Sequence, residues 1–267
     1  MTSESIMFTK KVAVLISFAL SVYGSIFYFL FSHQGKHFQT PFSGIFIVTA
    51  IYWLLTFLLQ LFFIIKVFFD KSITLEAQSR ITDIVGSHFT INNICHFFWC
   101  YFFHRESFAV SECILGLNLL NLLTLYFHHK TMSIKNINDW VTIHFPVSAM
   151  PLSWTLYALF WNGACMFHSH NKSLFARILA NLFIWEFLLV PGCFLLFYKD
   201  WSIGLSSSLL MLGLGFGQLF TKVVAFQWVF AFVISAVDFV ASVLTMFGSG
   251  LTSNVNTGTS EQAPLLA

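Results

Sequence analysis

The chain is poor in charge. Asp, Glu, Lys and Arg supply 9% of its 267 residues, against 57% hydrophobic residues, whereas soluble domains carry about 25% charged residues. That shortage excludes a water-soluble globule, because too little polar surface exists to cover one. The net charge of +2, with no basic block beyond Lys10-Lys11, gives no footprint for nucleic acid. Cysteine is scarce as well. Cys95, Cys100, Cys113, Cys165 and Cys193 are odd in number and form no CxxC pair, which argues against a disulfide framework or a zinc module. They read as small packing residues. GxSxG, HExxH, the P-loop and Gly-rich nucleotide fingerprints are all missing, and nothing in the sequence asks for a cofactor.

What the chain has in abundance is long apolar runs, with 35 Phe and 8 Trp. A bilayer core takes about 20 consecutive apolar residues, and lipid leaves backbone groups no partner outside a helix. The sequence therefore predicts an all-α polytopic transmembrane helix bundle of about eight spans: 12–31, 41–65, 82–103, 107–127, 141–167, 174–197, 202–220 and 223–247. The first run follows two lysines but continues to Phe31, too long for a cleaved leader. The third, with IVGSHFTINN, is polar for a helix facing lipid. Only Thr221-Lys222 separates the last two, which read as a tight hairpin or one broken element. The domain reading is a cytosolic N-terminus over 1–11, the bundle over 12–247 and a flexible tail over 248–267.

Orientation follows from the positive-inside bias. With the N-terminus in the cytosol, Lys10, Lys11, Lys66, Lys71, Arg80, Lys130, Lys135 and Lys199 share that side. Lys36, Arg105, Lys172, Arg177 and Lys222 face the other. An even span count returns the tail to the cytosol. There Glu261, Leu265 and Leu266 match the acidic dileucine pattern read by clathrin adaptors, at the end of a Gly/Ser/Thr-rich tether. That signal would place the protein in a vacuolar or endosomal membrane, with the endoplasmic reticulum or Golgi as the alternative.

Few residues carry chemistry. Glu186 and Asp238 fall near the centres of apolar spans, where a charge costs about 2.5–3.5 kcal/mol on insertion scales. They are the candidates for proton or cation coupling. Asn118 and Asn121 share one helix face, as lining of a path or as glue between helices. His88, Asn92, His96, Cys100 and His104 form a stripe at spacing of four. His96, Cys100 and His104 are weak metal candidates, since only two neighbours at that spacing reach one ion. Pro146, Pro151 and Pro191 interrupt spans five and six, and Gly213 and Gly217 permit close helix packing.

Several segments together, ECILGLNLLNLLTLYFHH, FPVSAMPLSWTLYALFWNGACMF, ARILANLFIWEFLLVPG and LGFGQLFTKVVAFQWVFAF, resemble a fungal family of multi-pass membrane proteins of unknown function, over residues 85–247. The resemblance implies an eight-helix-like membrane body and a fungal source, and it implies no catalytic residue. Three functional readings remain: a small-solute or proton-coupled carrier, a membrane scaffold or trafficking factor, and a lipid-modifying enzyme using third-span histidines.

Overall fold

A computed structural model of the chain describes residues 3–30, 38–69, 81–129, 140–167, 174–224 and 226–248. These residues form nine α-helices: α1 (Ser3–Gly24), α2 (Phe46–Phe68), α3 (Ser87–His104), α4 (Phe108–His129), α5 (Met150–Met166), α6 (Leu174–Phe183), α7 (Glu186–Tyr198), α8 (Trp201–Thr221) and α9 (Gln227–Gly248). Wide π-helical turns extend three of them: Ser25–Leu30 continues α1, Thr82–Gly86 leads into α3 and Trp140–Ala149 leads into α5. No strand occurs among the described residues.

Six helical stretches are long and apolar enough to cross a membrane: Phe8–Phe29, Phe46–Phe68, Phe108–His128, Leu174–Tyr198, Trp201–Thr221 and Gln227–Gly248. The other two, built on α3 and α5, bury polar side chains against their neighbours. Asn92, Asn93 and His96 of α3 and His144, Ser148, Ser153, Thr155 and Asn162 of the α5 stretch are all buried. The polarity of the third span thus serves helix packing, away from lipid.

Side-chain partners give the direction of each helix. Lys10 pairs with Asp83, Gly24 abuts Phe97 and Tyr28 packs on Tyr101, each partner lying 73 residues on. α1 and α3 are therefore parallel. Between α3 and α4, Asn92 meets Asn118 and His88 meets Asn121; between α4 and α5, Asn118 meets Thr155 and Ser111 meets Asn162. In each pair one number rises as the other falls, so these helices are antiparallel. α2 against α5 and α8 against α9 follow the same pattern. Eight alternating crossings satisfy every one of these contacts.

Where the helices begin and break has local causes. α2 starts at Phe46, five residues later than the apolar run, because Thr40–Ile45 is an irregular buried segment. Its carbonyls are held by donors from elsewhere, as buried irregular backbone requires. Gln218 donates to the Thr40 and Ser43 carbonyls (2.9 and 3.1 Å), Tyr157 to Phe42 (2.8 Å), and the Ile45 N–H to Gly213 (2.8 Å). The sixth span is two helices, divided at Ile184-Trp185 just ahead of Glu186. α8 and α9 form the hairpin reading of the last two spans, turned by Lys222 and Phe226 in left-handed conformations (φ 50° and 65°).

Lipid supplies no hydrophobic drive between helices, so packing and hydrogen bonds hold the bundle. Its centre is aromatic. The Trp154 ring lies 5.2 Å from Trp53, 5.6 Å from Trp99, 6.1 Å from Tyr52 and 6.0 Å from Phe29, and all five are buried.

Candidate functional site

Glu186 opens α7 immediately after the Ile184-Trp185 break. It is half-buried and lines a cleft with Ser153 of α5, Phe187 and Pro191 of α7, and Ile203 and Ser207 of α8. The cleft is narrow, with room for about one water molecule (about 20 Å³), and is partly open to the surroundings. Pro191 has no N–H, which leaves the carbonyl of Phe187 without its helical donor. The Ser207 hydroxyl donates to that carbonyl instead (3.4 Å). In the same way Ser153 donates to the Ile203 carbonyl (3.4 Å).

Ser207 also faces α9. Asp238 stands midway along that helix and is 1% exposed. The Ser207 hydroxyl comes near its carboxyl, yet neither carboxyl oxygen completes a hydrogen bond among the described residues. Ser242 hydrogen-bonds the Asp238 carbonyl, leaving the acid untouched. The two acids singled out in the sequence are thus brought to the two sides of one serine on α8.

The asparagines are placed elsewhere. Asn118 donates to Asn92 (3.0 Å) and Thr155 (3.2 Å), tying α4 to α3 and α5. Asn121 donates to the His88 carbonyl (3.0 Å), and its own oxygen meets the His88 ring at 2.7 Å. The histidine stripe divides. His96 is stacked under Trp53 with ring centroids 3.8 Å apart, and shares hydrogen bonds with Ser25 (2.7 Å) and Cys100 (3.5 Å). His104 packs beside Tyr28 at the end of α3. No group of three or more metal-ligating side chains occurs among the described residues. Glu261, Leu265 and Leu266 lie outside the described residues.

One cluster escaped the sequence reading. Asp200, between α7 and α8, caps α8 by accepting from the Ser202 and Ile203 N–H groups and from the Ser202 hydroxyl. His144 donates to its other oxygen at 2.7 Å, as does Tyr126 at 2.9 Å. Burial alone would raise this carboxyl. Electrostatic attraction to His144, with hydrogen bonds from His144, Ser202 and Tyr126, outweighs burial and holds it below its usual range. The one signal available was Asp200-Trp201-Ser202 ahead of an apolar run, an N-cap pattern. His144 and Tyr126 are 56 and 74 residues away, beyond any local motif.

Comparison with known proteins gives partial matches. Residues 177–266 match the model of a fungal protein family of unknown function, DUF1774. An uncharacterised protein of Schizosaccharomyces pombe is 34% identical over 80 residues, which is 30% of this chain and 28% of that protein. The aligned region is thus well under a third of that relative's length. Both matches support the fungal resemblance, and the family match lies in the C-terminal third of the chain, which includes Glu186, Asp200 and Asp238. No solved structure matches the chain.

Proposed function

We propose that this multi-pass membrane protein is a proton-coupled carrier of a small solute, with the coupling proton on Asp238 and Glu186 beside its path. The observation that supports the reading is Asp238 itself, buried midway along an apolar helix with both carboxyl oxygens unpartnered. An ionised carboxylate in that position is costly, so a proton or a cation must stand in for the missing partner. Ser207 joins this acid to a cleft that already contains a second one. The helix break at Ile184-Trp185 falls beside this cleft, and broken helices are a recurrent way of lining substrate paths. We further propose an acidic compartment, vacuolar or endosomal, as the site of action, reached through adaptor recognition of Glu261, Leu265 and Leu266.

Purified protein in liposomes loaded with a pH-sensitive dye tests the coupling. Amino acids, sugars, amines and inorganic cations are presented in turn. At least one class should move protons with the wild type, and Asp238→Asn should abolish that signal while keeping its fold. Identical traces for wild type, Asp238→Asn and empty liposomes across the panel would sink the carrier reading in favour of a scaffold.

A further inference from the structure

We infer that Ser207 is a positioning residue, a rotor that carries the charge state of Asp238 on α9 across to α7. Its one hydroxyl hydrogen serves the Phe187 carbonyl while Asp238 is protonated, and the Asp238 carboxylate once that acid is ionised. The biological use of this coupling rests on the carrier reading; the coupling itself rests on three helices meeting at one side chain. The register of the α8–α9 hairpin sets Ser207 and Asp238 opposite each other. Ser208 and Ser235 each donate to the other's carbonyl at 2.8 Å, and a Cβ at Gly204 would collide with the Ser242 hydroxyl. Asp238 lies between residues 235 and 242, so it meets α8 between 208 and 204. Ser207 stands there, with its hydroxyl near the carboxyl. On its other side the same hydroxyl donates to Phe187 of α7.

Three features leave the hydroxyl ready to change partner. Its bond to Phe187 is long, at 3.4 Å, against about 2.7–2.8 Å for a well-formed O–H···O bond. A carboxylate is the better acceptor, since hydrogen bonds to an ionised group are about twice as strong as neutral ones. The oxygens of Asp238 hold no other hydrogen bond among the described residues, so nothing competes for the place. No covalent bond breaks at the serine: the proton leaves Asp238, and the Ser207 O–H turns about its C–O bond. Left behind is the Phe187 carbonyl, which Pro191 has already deprived of its helical donor. The cleft against Phe187, Pro191 and Ser207 has room for about one water molecule, enough to hydrate that carbonyl and loosen the turn that follows Glu186. Of the helices packed on α9, α8 carries no ionisable side chain and α7 carries Glu186, Cys193 and Tyr198, while Asp238 is alone on α9. Asp238→Asn therefore separates its charge from theirs.

Amide hydrogen exchange of the detergent-purified full chain tests this, read by mass spectrometry on peptides of α7 from about pH 5 to about pH 9 and corrected for the intrinsic pH dependence. In the wild type the α7 amides should exchange about two- to tenfold faster once Asp238 is ionised, the worth of one hydrogen bond. Asp238→Asn stays neutral throughout and should give slow exchange that ignores pH. Ser207→Ala should give fast exchange that ignores pH, and Ser207→Thr, which keeps a hydroxyl, should restore the response. Should Ser207→Ala fail to fold, Pro191→Ala serves instead: it returns a helical donor to the Phe187 carbonyl, so exchange should stay slow at every pH. A wild type without a pH response, or a response that survives Asp238→Asn, Ser207→Ala or Pro191→Ala, overturns the inference. The two readings fail separately. Proton flux in liposomes without a pH response in α7 refutes the rotor and leaves the carrier. A response in α7 without flux for any solute refutes the carrier and leaves the rotor.

Discussion

A buried carboxyl is costly unless its lone pairs are in use, and Asp200 and Asp238 stand at opposite ends of that scale. Asp200 accepts from a helix N-terminus, a serine, a tyrosine and a histidine. Its carboxyl is held below the usual range, so its stabilising contribution is present above the unfolded value of about 3.9 and is lost as pH falls through the folded value. Thermal unfolding of the solubilised protein should therefore weaken below about pH 4 on account of this group. Asp200→Asn should lower stability at pH 7 by about 3–5 kcal/mol, since it strands a buried partner, and should blunt that acid sensitivity. Equal melting of wild type and variant from pH 7 down to pH 2 would remove the network from the account. The contrast between the two acids also shows what a sequence can carry. Asp238 was legible because a lone acid in an apolar run is anomalous on its own helix. Asp200 was not, because its partners come from distant parts of the chain.

At the scale of the element, the apolar runs translated into helices almost span for span, since lipid permits little else. The departures sit where tertiary contacts override composition. α2 loses its first residues to the buried Thr40–Ile45 segment, whose carbonyls find donors on α5 and α8. The sixth span divides at Ile184-Trp185 and stays helical at Pro191, the residue that looked like the breaker. Close approach to that buried segment explains one glycine. A Cβ at Gly217 would lie 2.6 Å from the Ser43 carbonyl oxygen and 2.7 Å from the Gly44 carbonyl carbon, whereas one at Gly116 would meet nothing within 4 Å. Both are helical, and Ala is otherwise worth up to about 1 kcal/mol over Gly in a helix. Gly217→Ala should consequently destabilise by about 1–3 kcal/mol, while Gly116→Ala should be neutral or slightly stabilising. Measured melting shifts of the same sign for the two would contradict this packing.

For the whole molecule, alternating helix directions put Lys10, Lys66, Tyr126, His144 and Asp200 at one end of the bundle. Phe38, Phe103, Phe108 and Trp161 meet at the other. Both described termini, α1 at its start and α9 at its end, lie at the first of these ends, as an even number of crossings demands. If that end is cytosolic, the dileucine is available to an adaptor. An N-terminally tagged protein should then mark vacuolar or endosomal membranes, and Leu265→Ala with Leu266→Ala should divert it. One shared distribution for both forms would refute adaptor sorting. The parallel pairing of α1 with α3, partners 73 residues apart, has a consequence for biosynthesis. At about 5–20 residues per second, α1 waits roughly 4–15 s for its partner to be made. Until then Ser21 and Ser25, both buried in the finished bundle, face lipid or the insertion machinery. The ribosome's pace over those codons is thus part of how this fold is reached.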